Sequence, residues 1–309
     1  MVACASGRQP DSGLARAPDE TLPRRAWLAA KSGAVVLAVH GVNDYARAFV
    51  LFGHAASRQG VSVHAYDQPT FGQNPDSGAR FDLCRLRQAL LAEYARVRAL
   101  YDHAIPVYVL GESMGAAVVL TTFAEGKATG ACAPLPADLV APAGFVFVAP
   151  ATWGGDQLNP LFRAAAKALA AVAPGLMLSG RDLPIHPTDN INLLRQLSLD
   201  PYMIKQMRAD AVVSLIDTVD AGVAHAPLLR GRVLWLTGRR DTIIPPETQS
   251  AIRARLTAQD CTAILYEDGY HMLLRDRQRA EVTADVLAWL AGDPLPSAKA
   301  QPCRSPASS

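Results

Sequence analysis

The stretch Gly111-Glu112-Ser113-Met114-Gly115 sets a serine between two glycines, and two partners that would turn a serine into a nucleophile occur later in the chain, Asp241 and His271. A neutral hydroxyl attacks poorly. An imidazole that takes its proton during attack activates it, and a carboxylate fixes the imidazole tautomer and stabilises the transient imidazolium. The expected roles are Ser113 as nucleophile, His271 as general base and Asp241 as the acid that orients it. The chemistry is acyl transfer: attack on a carbonyl carbon, an acyl-enzyme, then release by water along the same route. The oxyanion formed on the way needs donors. One is expected from the backbone of His40-Gly41-Val42, and the other is the N–H of Met114. A G-x-S-x-G match alone is weak, since with Gly and Ser near 7% each a chain of this length shows one by chance about one time in ten. Its placement carries the weight.

That placement follows from the flanking pattern. Pro106–Leu110 is an apolar run of strand length that leads into the serine, and Ala116–Leu120 after it reads as helix. Ala34–Val39 is a continuous apolar run, the mark of a strand buried on both faces, and it ends at His40. Further strands are predicted at Val61–Tyr66, Gly144–Val148, Val233–Leu236 and Ala263–Tyr266. Helices are predicted over about 46–59, 80–101 and 276–290. Asp241 lies just beyond one strand end and His271 just beyond the next. Strands alternating with helices predict an α/β protein with a mostly parallel sheet flanked by helices. Residues 151–226 break the alternation. They carry no strand pattern, read as helical over about 159–172 and 190–223, and form an expected insertion over the carboxyl edge of the sheet, where ligands bind in open α/β folds. Residues 1–20 and 292–309 are rich in Gly, Pro, Ser and Ala and read as flexible ends around a 21–291 core.

Composition limits the function classes. With 309 residues and 50% hydrophobic content, the chain can bury a large core. Its net charge of +2 comes from 30 basic and 28 acidic residues without a basic stripe, so nucleic acid is not an expected partner. No apolar run approaches the ~18 residues of a membrane span. No dinucleotide fingerprint or metal-ligand cluster occurs, so neither a cofactor nor a metal is expected. The cysteines are Cys4, Cys84, Cys132, Cys261 and Cys303. Their odd number and the lack of a C-x-x-C pair predict reduced thiols and a cytoplasmic protein. The alternative is a membrane-anchored lipoprotein: Met1-Val2-Ala3-Cys4 resembles the end of a bacterial lipoprotein signal, with Cys4 as the anchor if translation starts upstream.

The chain resembles the monoacylglycerol lipase and lysophospholipase group of α/β-hydrolases. The resemblance is carried by Val39–Phe49 (VHGVNDYARAF), Tyr66–Asn74 (YDQPTFGQN), Val109–Val118 (VLGESMGAAV), Leu236–Pro246 (LTGRRDTIIPP) and Asp268–Asp276 (DGYHMLLRD). It implies the Ser113–Asp241–His271 triad, oxyanion amides on Val42 and Met114, and a helical cap over 151–226. The cap's apolar face would guide an acyl chain through Leu158, Leu161, Phe162, Leu169 and Val172, and would make peripheral membrane contact. The implied substrate is a monoacylglycerol, a lysophospholipid or a related single-chain ester. Two departures stand out. Thr70 sits where the turn after Asp67 usually has its first glycine, although Gly72 is kept, and no strand is evident ahead of Thr21–Leu28.

Other readings keep the triad and change the bond: a short-chain esterase, a peptidase or an acyltransferase. A peptidase would want an acidic site for a free amino terminus, and Asp156 is the only acid in the first part of the expected cap. A non-catalytic binding protein is the reading from another class, and it is disfavoured because all three roles are filled. His40 precedes the serine and is read as shaping its loop. Glu267 and Asp268 are rival acids that lie too close in sequence to His271.

Overall fold

The computed structural model describes residues 22–124, 132, 135–180, 185–256 and 260–303. The expected arm over 1–20 and Cys4 lie outside them. Ten strands are formed among the described residues: β1 (Arg24–Trp27), β2 (Ala34–Val39), β3 (Val61–Tyr66), β4 (Val107–Glu112), β5 (Phe145–Val148), β6 (Met177–Ser179), β7 (Gln206–Arg208), β8 (Val233–Gly238), β9 (Cys261–Tyr266) and β10 (Gln301–Pro302). The α-helices are α1 (Val50–Arg58), α2 (Leu83–Ala99), α3 (Met114–Phe123), α4 (Pro160–Val172), α5 (Ile191–Leu199), α6 (Ala209–His225), α7 (Pro246–Arg253) and α8 (Arg279–Ala291).

The main sheet runs in the order β1-β3-β2-β4-β5-β8-β9-β10, parallel throughout except for β1 and β10 at its two edges. Its central strands read as continuous apolar runs because both faces are covered. Val35, Leu37 and Val39 pack into the core on one face, and Val36 and Ala38 into that on the other. From β2 the chain winds outward to β3, then returns to add β4 on β2's other side. The reversal makes the carboxyl ends of β2 and β4 a topological switch point, where a crevice opens. Residues Val39 and Gly111 pair across these strands, so the loops that follow them lie side by side.

Four features differ from the sequence reading. β1 was not expected: its RRAW sequence looks too polar, yet Arg24 is buried because its Nε donates to Glu93 Oε2 of α2 at 2.9 Å. The insertion is not purely helical, since β6 and β7 pair as a small antiparallel ribbon within it. The tail is not a free end: β10 pairs with β9, and Cys303 is buried. Finally, the cysteines are not all reduced. Cys84 is bonded to Cys132 and Cys261 to Cys303, with Cα–Cα separations of 5.0 and 5.4 Å. Folding brings together partners 48 and 42 positions apart, which neither parity nor spacing could reveal.

By length and composition the helical stretch Ala209–Leu228 would suffice to cross a membrane. In the fold α6, which makes up most of it, packs on α3, with Ile216, Val219 and Val223 buried.

Candidate active site

The serine sits where β4 turns into α3. Ser113 has φ +53°, a left-handed value rare for a residue with a side chain, and the strain holds the hydroxyl clear of the sheet. Its N–H donates to Val148 O on β5 at 3.0 Å, and its carbonyl accepts from Ala151 N at 3.1 Å. Gly115 must lack a side chain, because a Cβ there would lie 2.2 Å from the carbonyl oxygen of Val39. Gly41 packs as closely: a Cβ would lie 2.9 Å from that of Ser113, so the loop bearing Val42 lies against the serine. Met114 opens α3, and the first N–H groups of a helix have no partner within it.

His40 anchors that loop. Its Nε2 accepts from Gln68 N at 2.9 Å, so its Nδ1 carries the proton and donates to Gly41 O at 2.7 Å. Burial pushes its pKa down, and it stays neutral. In the neighbouring turn Thr70 takes φ +70°, a left-handed value that a glycine adopts more readily.

Asp241 and His271 leave the ends of β8 and β9, which are neighbours with Gly238 paired to Tyr266. His271 Nδ1 and Asp241 Oδ2 are 2.8 Å apart. The other carboxylate oxygen accepts from Ile243 N at 2.8 Å and Ile244 N at 2.9 Å. Gln249 Nε2 adds a contact to Oδ2 at 3.3 Å. The acid is therefore held from three sides, with Nδ1–H of the imidazole as its donor and Nε2 left as the acceptor. Burial alone would push the pKa of His271 down, but the charge and hydrogen bond of Asp241, with a contribution from Glu112, raise it above the ordinary value. The rival acids are accounted for: Glu267 pairs with Arg239 and Asp268 with Arg240, all exposed.

Ser113 and His271 border one cavity of about 820 Å³, roofed by the insertion. Val42, Leu158 and Phe162 line it. Leu161 does not. It lies on the outer face of α4 and is 79% exposed, since successive helix positions point in different directions and it is its neighbour Phe162 that reaches the cavity. Val172 is likewise 87% exposed, and Leu169 is half-buried without reaching the cavity. Trp153, Met207, Leu215, Ile216, Ile243 and Met272 complete an apolar wall that sequence reading did not single out. Of these, Ile243 and Met272 fall inside family-like motifs, and the others carried no signal beyond being apolar.

The middle of the insertion is fastened to the histidine loop. Met272 N donates to Pro187 O at 2.9 Å, Asn190 Nδ2 to Arg275 O at 3.0 Å, and Arg277 N to Asp189 Oδ1 at 2.9 Å. Asp276 accepts from Tyr270 N at 2.8 Å, and burial lifts its carboxyl to about 6.

A parallel sheet with edge strands reversed, a strained serine at a strand–helix turn, and an acid and histidine on the loops after two later strands define the α/β-hydrolase fold. The chain belongs to the family described as serine aminopeptidase, S33, whose signature covers residues 30–278. It is 27% identical over 272 residues to a monoacylglycerol lipase of Mycolicibacterium smegmatis, an alignment that spans 84% of this chain and 88% of that one. Among solved structures it is similar to a soluble variant of the monoglyceride lipase of Saccharomyces cerevisiae in complex with a substrate analogue, with a TM-score of 0.73, 17% identity, and coverage of 94% and 99% of the two chains. It is also similar to the monoacylglycerol lipase of Paleococcus ferrophilus, with a TM-score of 0.71, 21% identity, and coverage of 88% and 98%.

Proposed function

We propose that the chain is a serine hydrolase that cleaves the carboxylic ester of a monoacylglycerol or a similar single-chain lipid. The observation that carries this reading is the apolar cavity of about 820 Å³ that Ser113 and His271 share. In it His271 Nε2 takes the proton of Ser113 as Oγ attacks the ester carbonyl, while Asp241 holds the imidazole and stabilises its charged form. The N–H groups of Val42 and Met114 receive the oxyanion. Collapse of the tetrahedral intermediate expels the alcohol with the proton from His271. Water then enters by the same route and frees the fatty acid.

The family's name points to a second reading, cleavage at a peptide amino terminus, and the cavity argues against it. A free ammonium group needs an unpaired acid, and among the described residues the two carboxylates that line the cavity, Asp44 and Glu112, both face Arg275. Turnover of a monoacylglycerol, a lysophospholipid, long and short p-nitrophenyl esters and an aminoacyl anilide separates the readings, with Ser113→Ala as control. Long-chain ester cleavage lost in the variant is the expected result. Turnover of the anilide alone would reverse the choice.

Two further points belong to this proposal. The disulfides favour an oxidising compartment over the cytoplasm, since such bonds persist poorly among cytosolic reductants. Leu161, Val172 and Leu199, each about four-fifths exposed or more on the insertion, form apolar surface suited to contact with a lipid layer. Fractionation of the native host would test the first point and vesicle flotation the second.

A further inference from the structure

One cation joins the three loops that build the site, and the acyl-transfer roles above do not use it. Arg275 is 4% exposed and lies four residues after His271. Its Nη1 donates to Asp44 Oδ2 at 2.7 Å, and its Nη2 lies 3.4 and 3.5 Å from the carboxylate oxygens of Glu112. Asp44 is two residues beyond Val42, and its other oxygen accepts from Tyr45 N at 2.9 Å. Glu112 is the last residue of β4, directly before Ser113, and is 2% exposed. The oxyanion loop, the nucleophile turn and the histidine loop therefore meet at one guanidinium.

We infer that Arg275, Asp44 and Glu112 act as a positioning unit that holds the donor loop, the serine and the histidine in mutual register, with Glu112 bordering the same cavity as the base. The inference rests on the triad reading. Buried charges are costly to maintain, and apolar side chains of similar volume would pack there at least as well, so the network is poorly explained by stability alone. The planar fork of arginine can serve two carboxylates on different elements at once, which an ammonium cannot do as well. Burial alone would push the guanidinium down, but Asp44 and Glu112 more than offset this, so it stays a cation. Burial lifts the Glu112 carboxyl, with Arg275 opposing the rise. Among the described residues the charged groups around His271 are Asp241 from the loop after β8, Glu112 from β4, Arg275 and Asp276 on its own loop, Asp44 behind Arg275, and Lys205 across the cavity on the insertion. Glu112 raises its pKa and Arg275 lowers it.

The test is the pH dependence of kcat and kcat/KM for a soluble short-chain p-nitrophenyl ester, measured on Arg275→Gln, Arg275→Lys and Glu112→Gln, with Ser113→Ala alongside. Arg275→Gln is expected to lower kcat by roughly ten- to a hundredfold with KM within about threefold, the signature of misaligned reacting groups. Arg275→Lys should recover part of that loss. Glu112→Gln keeps the shape and an acceptor for Arg275 but removes a negative charge near the base, so the acid limb of kcat/KM should move to lower pH by about half a unit or more. If Arg275→Gln does not fold, the outcome is decided by Glu112→Gln. An unmoved acid limb in that variant would overturn the inference, as would an Arg275→Lys no better than Arg275→Gln. Activity surviving in Ser113→Ala would instead overturn the triad reading beneath it.

Discussion

Replacing Asp241 with asparagine changes no volume, yet the surrounding donors dictate how the new amide must sit. The site of Oδ1 faces two backbone donors, Ile243 N and Ile244 N, and only a carbonyl oxygen can satisfy both. The amide nitrogen is then forced into the site of Oδ2, opposite His271 Nδ1 and the Nε2 of Gln249. A donor facing Nδ1 requires that nitrogen to be unprotonated, so the proton moves to Nε2, where the serine proton has to be received. The base is occupied before the reaction begins. By the general logic of such triads, trapping the wrong tautomer costs on the order of 10³–10⁴ in kcat, about 4–5.5 kcal/mol at 1.36 kcal/mol per decade. The assay is kcat of Asp241→Asn on a p-nitrophenyl ester at pH 8, with circular dichroism to show that the fold is kept. A variant that retains more than a tenth of wild-type kcat would refute the reasoning, because the orientation of the amide leaves no other tautomer.

Other consequences follow from the same geometry. The pKa of His271 lies above its ordinary value near 6.5, and the base works only when neutral. Activity should therefore fall as pH drops through a midpoint above 6.5, and a pH–rate profile with its midpoint below 6 would contradict this. The cross-links close loops of 48 and 42 residues, so each should contribute about 4 kcal/mol on the chain-entropy account. Reduction, or the Cys261→Ser change, should lower the urea midpoint clearly, and an unchanged midpoint would show that the bond is not formed in solution. Phe162 borders the cavity but is 53% exposed, so about half of a phenylalanine's burial energy is available to a bound acyl chain. Phe162→Ala should lower kcat/KM on long-chain esters by about tenfold, whereas Leu161→Ala on the outer face should leave it within about twofold. Equal effects of the two changes would mean that the acyl chain lies elsewhere.

The placement of Ser113, Asp241 and His271 was legible because each sits at the end of a strand whose apolar run is continuous, and a strand buried on both faces is the plainest pattern a sequence offers. The loop at His40 to Val42 was legible for the same reason. What escaped depended on contacts between distant positions. Arg24 makes β1 look like a polar turn until Glu93 is seen beside it. Cys84 and Cys261 look like isolated thiols until the fold delivers Cys132 and Cys303. Helical periodicity marked α4 but did not say which face looks inward, so Leu161 was grouped with Leu158 and Phe162. Arg275 falls within a family-like motif, and only the structure sets it between Asp44 and Glu112.

The reading of Ser113 as nucleophile is tested most directly by trapping its covalent state. Purified protein is treated with a fluorophosphonate that carries a long alkyl chain, digested, and examined by mass spectrometry beside Ser113→Ala. The expected result is one adduct, on the peptide that contains Ser113, with loss of long-chain esterase activity in step with labelling and no adduct in the variant. An adduct on another residue, or ester turnover that persists in Ser113→Ala, would contradict the assignment.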